Sequence, residues 1–507
     1  MARPAIIDLL EQRVLEHPHS AYLRFGERVV TWSEIAECTF RAANGLRELG
    51  VEPGDRVAIM LPNSPEYLFA YYGVLASGAA PVPVNIAQRG AALAHILRDS
   101  GAKALLLDAP LRPYLDLIAE DIPGVTLVAR GEASWERLLG ASSLPPEQPT
   151  GARSGLGIMY TSGTTGPPKG VVAEGYVLSH LHQLLALFEI KPGETVYTCL
   201  PLFHGNALIL SAMGAIWNDW TLALAERFSA SRFWDDIRRH DAVMFTALGG
   251  IIPILLKQPE RPDDADNPAR LCASAACPGW AWEQFQSRFG LRLLEFYGLV
   301  DYPGYLINDE GVPGAMGRVL GATQFRCVDD GDHDVGPGLV GELVMQHPGG
   351  RLTHYHNDPE ATEAAYRGGW FHTGDLASRD ERGLFTYRGR KKESMRRRGE
   401  NISAWEIENV VNLHPKVAES AAHAVASELG EDDVKLVVVP RPGCEIDFAE
   451  LIEFCRGRMA DYAIPGYIEL RNALPKTGTH RVQYAQLKAE GLTPNTWRRP
   501  DATAPRR

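Results

Sequence analysis

Little in this sequence suits a zinc site, a membrane span or a nucleic-acid surface. Seven cysteines, Cys38, Cys199, Cys272, Cys277, Cys327, Cys444 and Cys455, are scattered through 507 residues. None forms a CxxC pair, which excludes a zinc ribbon, and the odd, dispersed set suggests no disulfide framework. A reducing cytoplasm is the expected location. No run approaches the eighteen apolar residues of a membrane span. The opening 1-MARPAIIDLLEQRVLEHP carries early acidic residues and no long apolar core, so no secretory signal is expected. Positive charge is also scarce. Fifty-one Lys and Arg against 63 Asp and Glu leave a net charge of -12, which argues against general nucleic-acid binding. No internal repeat is visible.

What is present reads as a folded, multi-domain chain. Hydrophobic residues make up 45% and charged residues 22%, and 507 residues exceed one ordinary core. Helical and strand patterns alternate in the first half. Segment 32-WSEIAECTFRAANGLRELG has helical spacing and a glycine stop, 56-RVAIMLP has strand length, and 65-PEYLFAYYGVLASG is helical again. The rhythm continues through 80-APVPVN (strand), 91-AALAHILRDSG (helix) and 103-KALLLD (strand). The fold class expected is therefore α/β, with a large N-terminal domain of helix-covered, mostly parallel sheets. Ligand sites in such sheets lie at the carboxyl ends of strands. Near 388-RGRKKESMRRRGEN the composition turns basic and a fresh pattern begins, with helices at 403-SAWEIENVVNLH and 448-FAELIEFCRGRM around the strand 434-VKLVVVP. The expected division is 1–389, a small α+β C-terminal domain at 390–490, and a disordered tail at 491–507.

The densest chemistry lies in 160-YTSGTTGPPKG-170, directly after the strand-like 156-LGIMY. Thr161, Ser162, Thr164 and Thr165 offer hydroxyls, Gly163, Gly166 and Gly170 let backbone amides approach an anion, and Lys169 adds a point charge. Such a loop can surround a polyphosphate with donors. It is not a Walker loop, because Pro168-Lys169-Gly170 replaces the Gly-Lys-Ser/Thr ending. The alternative is a Gly/Thr-rich turn without a ligand.

The whole string resembles the signature of adenylate-forming enzymes: acyl- and aryl-CoA synthetases, peptide-synthetase adenylation domains and luciferases. Further motifs follow in the family's order: 201-PLFHG, 274-SAACP, 296-FYGLVD, 369-GWFHTGD, 387-YRGRKKE, 399-GENIS and 475-PKTGTHRVQ. The resemblance spans residues 5 to 490. The wording of GWFHTGD and RRRGENIS is most like that of carnitine/crotonobetaine-CoA ligases and fatty-acyl-CoA ligases. The resemblance implies ATP and Mg²⁺ as cofactors, a small or medium organic acid as substrate, and CoA as acceptor. It implies roles residue by residue. The loop residues and Lys169 would hold the β- and γ-phosphates of ATP. Ala275 and Ala276 would line the adenine and acid pockets, and Tyr297 and Gly298 would meet the adenine. Asp375 would accept both ribose hydroxyls, with Arg390 beside it, and Asp301 would help hold Mg²⁺. His204 would gate the acid pocket, drawn from Asn206, Leu248, Gly249, Ala275 and Leu299. Lys392 would be the hinge of a mobile C-terminal domain, and Gly399 would line the pantetheine passage. A homodimer is a family-level expectation only.

Three positions depart from the family's pattern. Val300 and Asp301 stand where Thr-Glu is usual, so a phosphate donor is lost and the metal-binding carboxylate is one methylene shorter. Arg481 stands in the slot of the catalytic lysine, with a planar, bulkier cation. Lys476, five residues earlier, is a second lysine that could take that part. These departures leave three readings: an acyl-CoA ligase with compensated geometry, a diazotase-like enzyme that activates nitrite for an arylamine in secondary metabolism, and a nucleotide-binding homologue without turnover.

Overall fold

Largely apolar strands between helices build the first layers. The computed structural model describes residues 6–146, 157–161, 168–173, 177–248, 250–391, 394–397, 400–426, 432–456, 458–459, 463–477 and 481–500. Helix Trp32–Glu48 starts at Thr31, which exchanges capping hydrogen bonds with Glu34: Glu34 N–H to Thr31 Oγ1 at 3.2 Å and Thr31 N–H to Glu34 Oε2 at 2.7 Å. Helix Pro65–Ser77 is capped by Ser64 and stopped by Gly78 in the left-handed region. The two helices pack so closely at Gly73 that a Cβ there would lie 2.5 Å from Ala42 Cβ. Beneath them, Ala80–Pro83, Arg56–Met60, Ala102–Asp108 and Thr126–Arg130 form a parallel four-stranded sheet. This confirms the alternation read from the sequence.

A second, fourteen-stranded sheet carries most of the remaining chain up to Arg390. One half is parallel: Ala21–Phe25, Thr221–Leu224, Thr195–Thr198, Ala242–Leu248, Leu271–Ala275 and Arg292–Tyr297. Its strands are buried on both faces, as parallel strands covered by helices must be. From Arg292–Tyr297 onward, pairing turns antiparallel through Tyr305–Asn308, Ala315–Leu320, Phe385–Arg390, Trp370–Arg379, Val340–Gln346 and Gln324–Val328. This second sheet is therefore mixed, while the four-stranded sheet is wholly parallel. Short connections such as 309–314 and 380–384 are too brief for a helical crossover, so these neighbours can only run antiparallel. A stack of Trp234 on Phe289, centroids 4.3 Å apart, and the Phe233–Phe245 edge contact at 5.0 Å fill the core below the parallel half. No helix among the described residues is long and apolar enough to cross a membrane.

Beyond Arg390 the chain forms sheets of its own. Val417–Ala426, Asp432–Pro440, Tyr467–Leu470 and Trp497–Arg498 make one sheet over the helices Ala404–Val411 and Phe448–Cys455. Ile407, Leu436, Val438, Leu451 and Ile468 form a separate apolar cluster there. The expected disordered tail is corrected for 491–500. Trp497 stacks on Phe448 with centroids 5.1 Å apart, and Arg499 N–H donates to the Gly466 carbonyl at 2.9 Å.

A buried ion network anchors that segment. Lys435 is fully buried, with its Nζ 2.5 Å from Glu469 Oε2 and 2.6 Å from the Gly491 carbonyl. Arg471 holds Glu469 Oε1 at 2.7 Å, and the Thr493 hydroxyl donates to Oε2 at 2.8 Å. Removing one partner of such a pair strands a buried charge. Glu469→Ala is expected to lower the unfolding free energy by about 3–5 kcal/mol in urea titrations. A loss below about 1 kcal/mol, the range of surface pairs, would contradict this account.

Candidate active site

The two strands that flank the hydroxyl- and glycine-rich stretch pair with each other. Ile158–Thr161 and Lys169–Ala173 pair antiparallel, with Thr161 opposite Lys169, and Thr353–Tyr355 adds a third strand. The stretch thus follows a strand, as read from the sequence, and that strand lies in a small antiparallel sheet. Ser162, Gly163, Thr164 and Thr165 lie outside the described residues, as do Gly249, Lys392 and Gly399.

Strand pairing brings together two predicted residues far apart in sequence. Tyr355 sits opposite Val171. The Lys169 ammonium lies 4.9 Å from the centre of the Tyr355 ring, a cation–π distance. The Tyr355 hydroxyl donates to Asp301 Oδ1 at 3.0 Å. Burial raises the Asp301 carboxyl above its ordinary pKa. A cation beside that oxygen would favour its charged form. Among the described residues no cluster of three His, Cys, Asp or Glu side chains could hold a metal alone. Tyr355 was not anticipated, because only the register of its short strand aims it at Asp301.

The second cluster is built across the antiparallel half of the large sheet. Asp375 is directly opposite Arg390, whose Nε is 3.0 Å from Asp375 Oδ1. The Tyr297 hydroxyl, at the carboxyl end of Arg292–Tyr297, donates to Asp375 Oδ2 at 2.7 Å. Asp375 is almost fully buried, and burial raises its pKa against the pull of Arg390. The preceding Gly374, at φ 71°, turns the strand where the carboxylate enters the site. Gly298 lies against Tyr305, where a Cβ would come within 2.9 Å of the ring.

The third cluster surrounds His204. Its turn closes with His204 N–H donating to the Pro201 carbonyl at 3.0 Å, then widens into a π-helix over Asn206–Met213. Such turns re-aim side chains at functional sites. His204 packs on Phe203 with ring centroids 4.7 Å apart. Its Nε2 and Asn206 Oδ1 are buried without a hydrogen-bond partner among the described residues. Burial, with the charge of Arg481 second, pulls the His204 pKa down to about 4, so its ring is neutral at pH 7. Gly205 faces Val300, where a Cβ would lie 3.3 Å from Val300 Cγ2.

Arg481 arrives from the C-terminal part. Thr477 N–H donates to the Arg481 carbonyl at 2.8 Å, and Arg481 N–H to Thr477 Oγ1 at 3.2 Å, closing its loop. Its charge acts on both His204 and Asp375. Lys476 does not take this place, because its ammonium is ion-paired with Glu419.

A cavity of about 750 Å³ opens beside Phe203 and is lined also by Leu248, Ile251, Asn85, Arg227 and Arg232. Of the predicted acid-pocket residues that are described, only Leu248 lines it. His204 adjoins its Phe203 wall, and Asn206, Ala275 and Leu299 lie outside it. The two arginines were missed because 226-ERFSASR carries no pattern that separates a rim from an ordinary surface turn.

Ala275 ends the strand Leu271–Ala275, and Ala276 follows at φ 67°, a left-handed conformation that disfavours alanine by about 1–2 kcal/mol. The buried Glu295 braces this bend by accepting the Cys277 N–H at 3.0 Å. Burial raises its pKa from 4.5 to about 8. The folded protein therefore keeps this proton between those values while the unfolded chain has lost it. Stability from this group is complete below about pH 4.5 and lost as pH rises through 8. Glu295→Gln removes that titration, so melting temperatures of parent and variant should diverge in the variant's favour between about pH 4.5 and about pH 8. Parallel curves would show that Glu295 does not titrate in this window.

Three kinds of relative share this architecture. The sequence model of the AMP-binding enzyme family matches residues 10–354, and that of the AMP-binding enzyme C-terminal domain matches residues 406–481. A crotonobetaine/carnitine–CoA ligase from Salmonella paratyphi A (strain ATCC 9150 / SARB42) is 30% identical over 489 residues, covering 91% of this chain and 93% of that one. Among solved structures, ATP-bound MatB from Rhodopseudomonas palustris superposes with a TM-score of 0.86 at 25% identity, covering 96% and 98% of the two chains. An o-succinylbenzoate coenzyme A synthetase from Bacillus subtilis, in complex with AMP, gives 0.82 at 26% identity over 95% and 98%.

Proposed function

This chain belongs to the family of AMP-binding enzymes, and on that premise we propose that it activates a small or medium organic acid with ATP and transfers the acyl group to CoA. The single observation that carries this reading is the convergence of distant segments. Asp375 is bonded to Tyr297, paired with Arg390 and within the field of Arg481, which also acts on His204.

Two bonds change in each step. The acid's carboxylate oxygen attacks the α-phosphorus, the bond to the bridging oxygen breaks, and pyrophosphate leaves with its electron pair. The CoA thiolate then attacks the acyl carbon, and AMP leaves. The difficulty of the first step is that two anions meet while charge builds on the phosphoryl group. Lys169 and the loop hydroxyls hold the outer phosphates, and Asp375 accepts the ribose hydroxyls. Tyr297 joins the adenine side to that carboxylate, and Arg481 sits at the α-phosphate. Neutral His204 shapes the acid's entry without trapping the carboxylate in an ion pair. Mg²⁺, when bound near Asp301, supplies neutralisation of phosphate charge. The cavity beside Phe203, with Arg227 and Arg232 in its lining, suits a long thiol arm ending in phosphates. In this reading residues 1–389 bind ATP and acid, and 390–490 move about Lys392 between the two steps.

The test is pyrophosphate release across carboxylic acids, and with nitrite plus an arylamine, each with and without CoA. Acid-dependent release with CoA-dependent thioester is the expected result. Nitrite-dependent AMP formation without CoA would overturn it in favour of diazotisation, and no turnover with any substrate would mean that only nucleotide binding remains.

A further inference from the structure

A lysine outside the site described so far ties the main body of the protein to the loop that carries Arg481. Helix Ile251–Leu256 begins at the cavity wall, where Gly250 and Ile251 line it, and its C-cap is Lys257. The Lys257 ammonium donates to the backbone carbonyl of Ala418, in the strand Val417–Ala426 of the C-terminal part.

That carbonyl is an unusual acceptor. Val417 pairs with Pro440 and Glu419 with Val439, so the register slips at Ala418, which forms a β-bulge. A bulge leaves its extra residue outside the ladder. The flanking Val417 carbonyl is taken by Arg441 Nε at 3.1 Å, and the Ala418 carbonyl is taken by Lys257. The next residue, Glu419, is ion-paired with Lys476. Lys476 belongs to the loop held shut by Gln483 N–H on the Pro475 carbonyl at 2.8 Å and by the Thr477–Arg481 hydrogen bonds. A short mechanical path therefore runs from Lys257 through Ala418, Glu419 and Lys476 to Arg481.

We propose that Lys257 is a positioning residue of the adenylation step: by docking on the bulge carbonyl it seats the Arg481 loop over the nucleotide. The inference rests on the two-step reading above. A displacement of about 1 Å in a catalytic group can lower a rate by roughly a hundredfold. Lys257 touches neither nucleotide nor acid, so its removal acts only through the fit of that loop.

The test uses Lys257→Met, which keeps an apolar stem and removes the donor, and Lys257→Arg, which restores one. In the methionine variant, acid-dependent pyrophosphate release should fall by about ten- to a hundredfold. Consumption of pre-formed acyl-adenylate by CoA should stay within about twofold, and the arginine variant should recover most of the first step. Hydrogen exchange of peptides covering 475–483 should quicken in the methionine variant, a readout that needs no substrate. Equal loss in both steps would indicate a general structural role and overturn the proposal. So would unchanged exchange, or unchanged pyrophosphate release. A parent protein that releases no pyrophosphate with any acid would instead sink the ligase reading. In that case exchange alone decides whether Lys257 docks the loop.

Discussion

Arg481→Ala is expected to lower acid-dependent pyrophosphate release by roughly a hundred- to thousandfold while leaving nucleotide binding nearly intact. The expectation follows from where the charge acts. Arg481 is one cause of the lowered His204 pKa and also acts on Asp375, so its field covers the space between acid and sugar. A preorganised cation there stabilises charge that exists mainly in the transition state, and its loss appears in kcat more than in KM. Val300 offers no donor nearby, and Lys476 is held by Glu419. Neither of these two residues is therefore expected to rescue the variant. A second readout is independent of turnover: without Arg481 the His204 imidazole should titrate above its present value of about 4. Arg481→Lys is expected to preserve or raise the release, since an ammonium supplies the same charge with less bulk. A collapse in the lysine variant would instead mean that the chemistry requires the planar guanidinium.

Asp375→Ala should weaken ATP and AMP binding by at least about a hundredfold in calorimetric titrations. The carboxylate connects Tyr297 and Arg390 before any nucleotide arrives. On the proposed function its removal takes away two ribose contacts, and it leaves the Arg390 cation and the Tyr297 hydroxyl to find new partners. Hydrogen bonds to charged groups contribute about 1.5–3 kcal/mol each, so two lost contacts reach this magnitude. Asp375→Asn keeps the shape and one acceptor and should fall between parent and alanine variant. An alanine variant that binds AMP within twofold of the parent would show that the ribose is held elsewhere.

Much of the site was legible because its chemistry is carried by residue type and local order. The hydroxyl and glycine run before Lys169 stood out by residue type, whereas Asp375 and Arg481 were named as candidates only through the resemblance of their motifs to a family pattern. The alternating elements of the first half were equally legible, since periodicity and caps act over a few residues. The large sheet was read less well. Its antiparallel half depends on short connections between strands such as Trp370–Arg379 and Phe385–Arg390, whose local patterns do not reveal direction of pairing. The segment 491–500 read as disordered because it is polar and proline-bearing. It is ordered by the partners it meets, Phe448 and the Lys435–Glu469 network.

The sequence by itself determined which groups are available: a run of hydroxyls and glycines before Lys169, an aspartate after Gly374, and an arginine in the last loop. Only the tertiary structure decided which of those groups meet. It brought Tyr355 to Asp301 and Lys169, bonded Tyr297 to Asp375, drew Lys476 away to Glu419 and set Lys257 on the Ala418 bulge. The physical reason is range. Propensity and charge act within a few residues, whereas strand register, a bulge and the docking of one sheet against another select partners that lie tens to hundreds of positions apart.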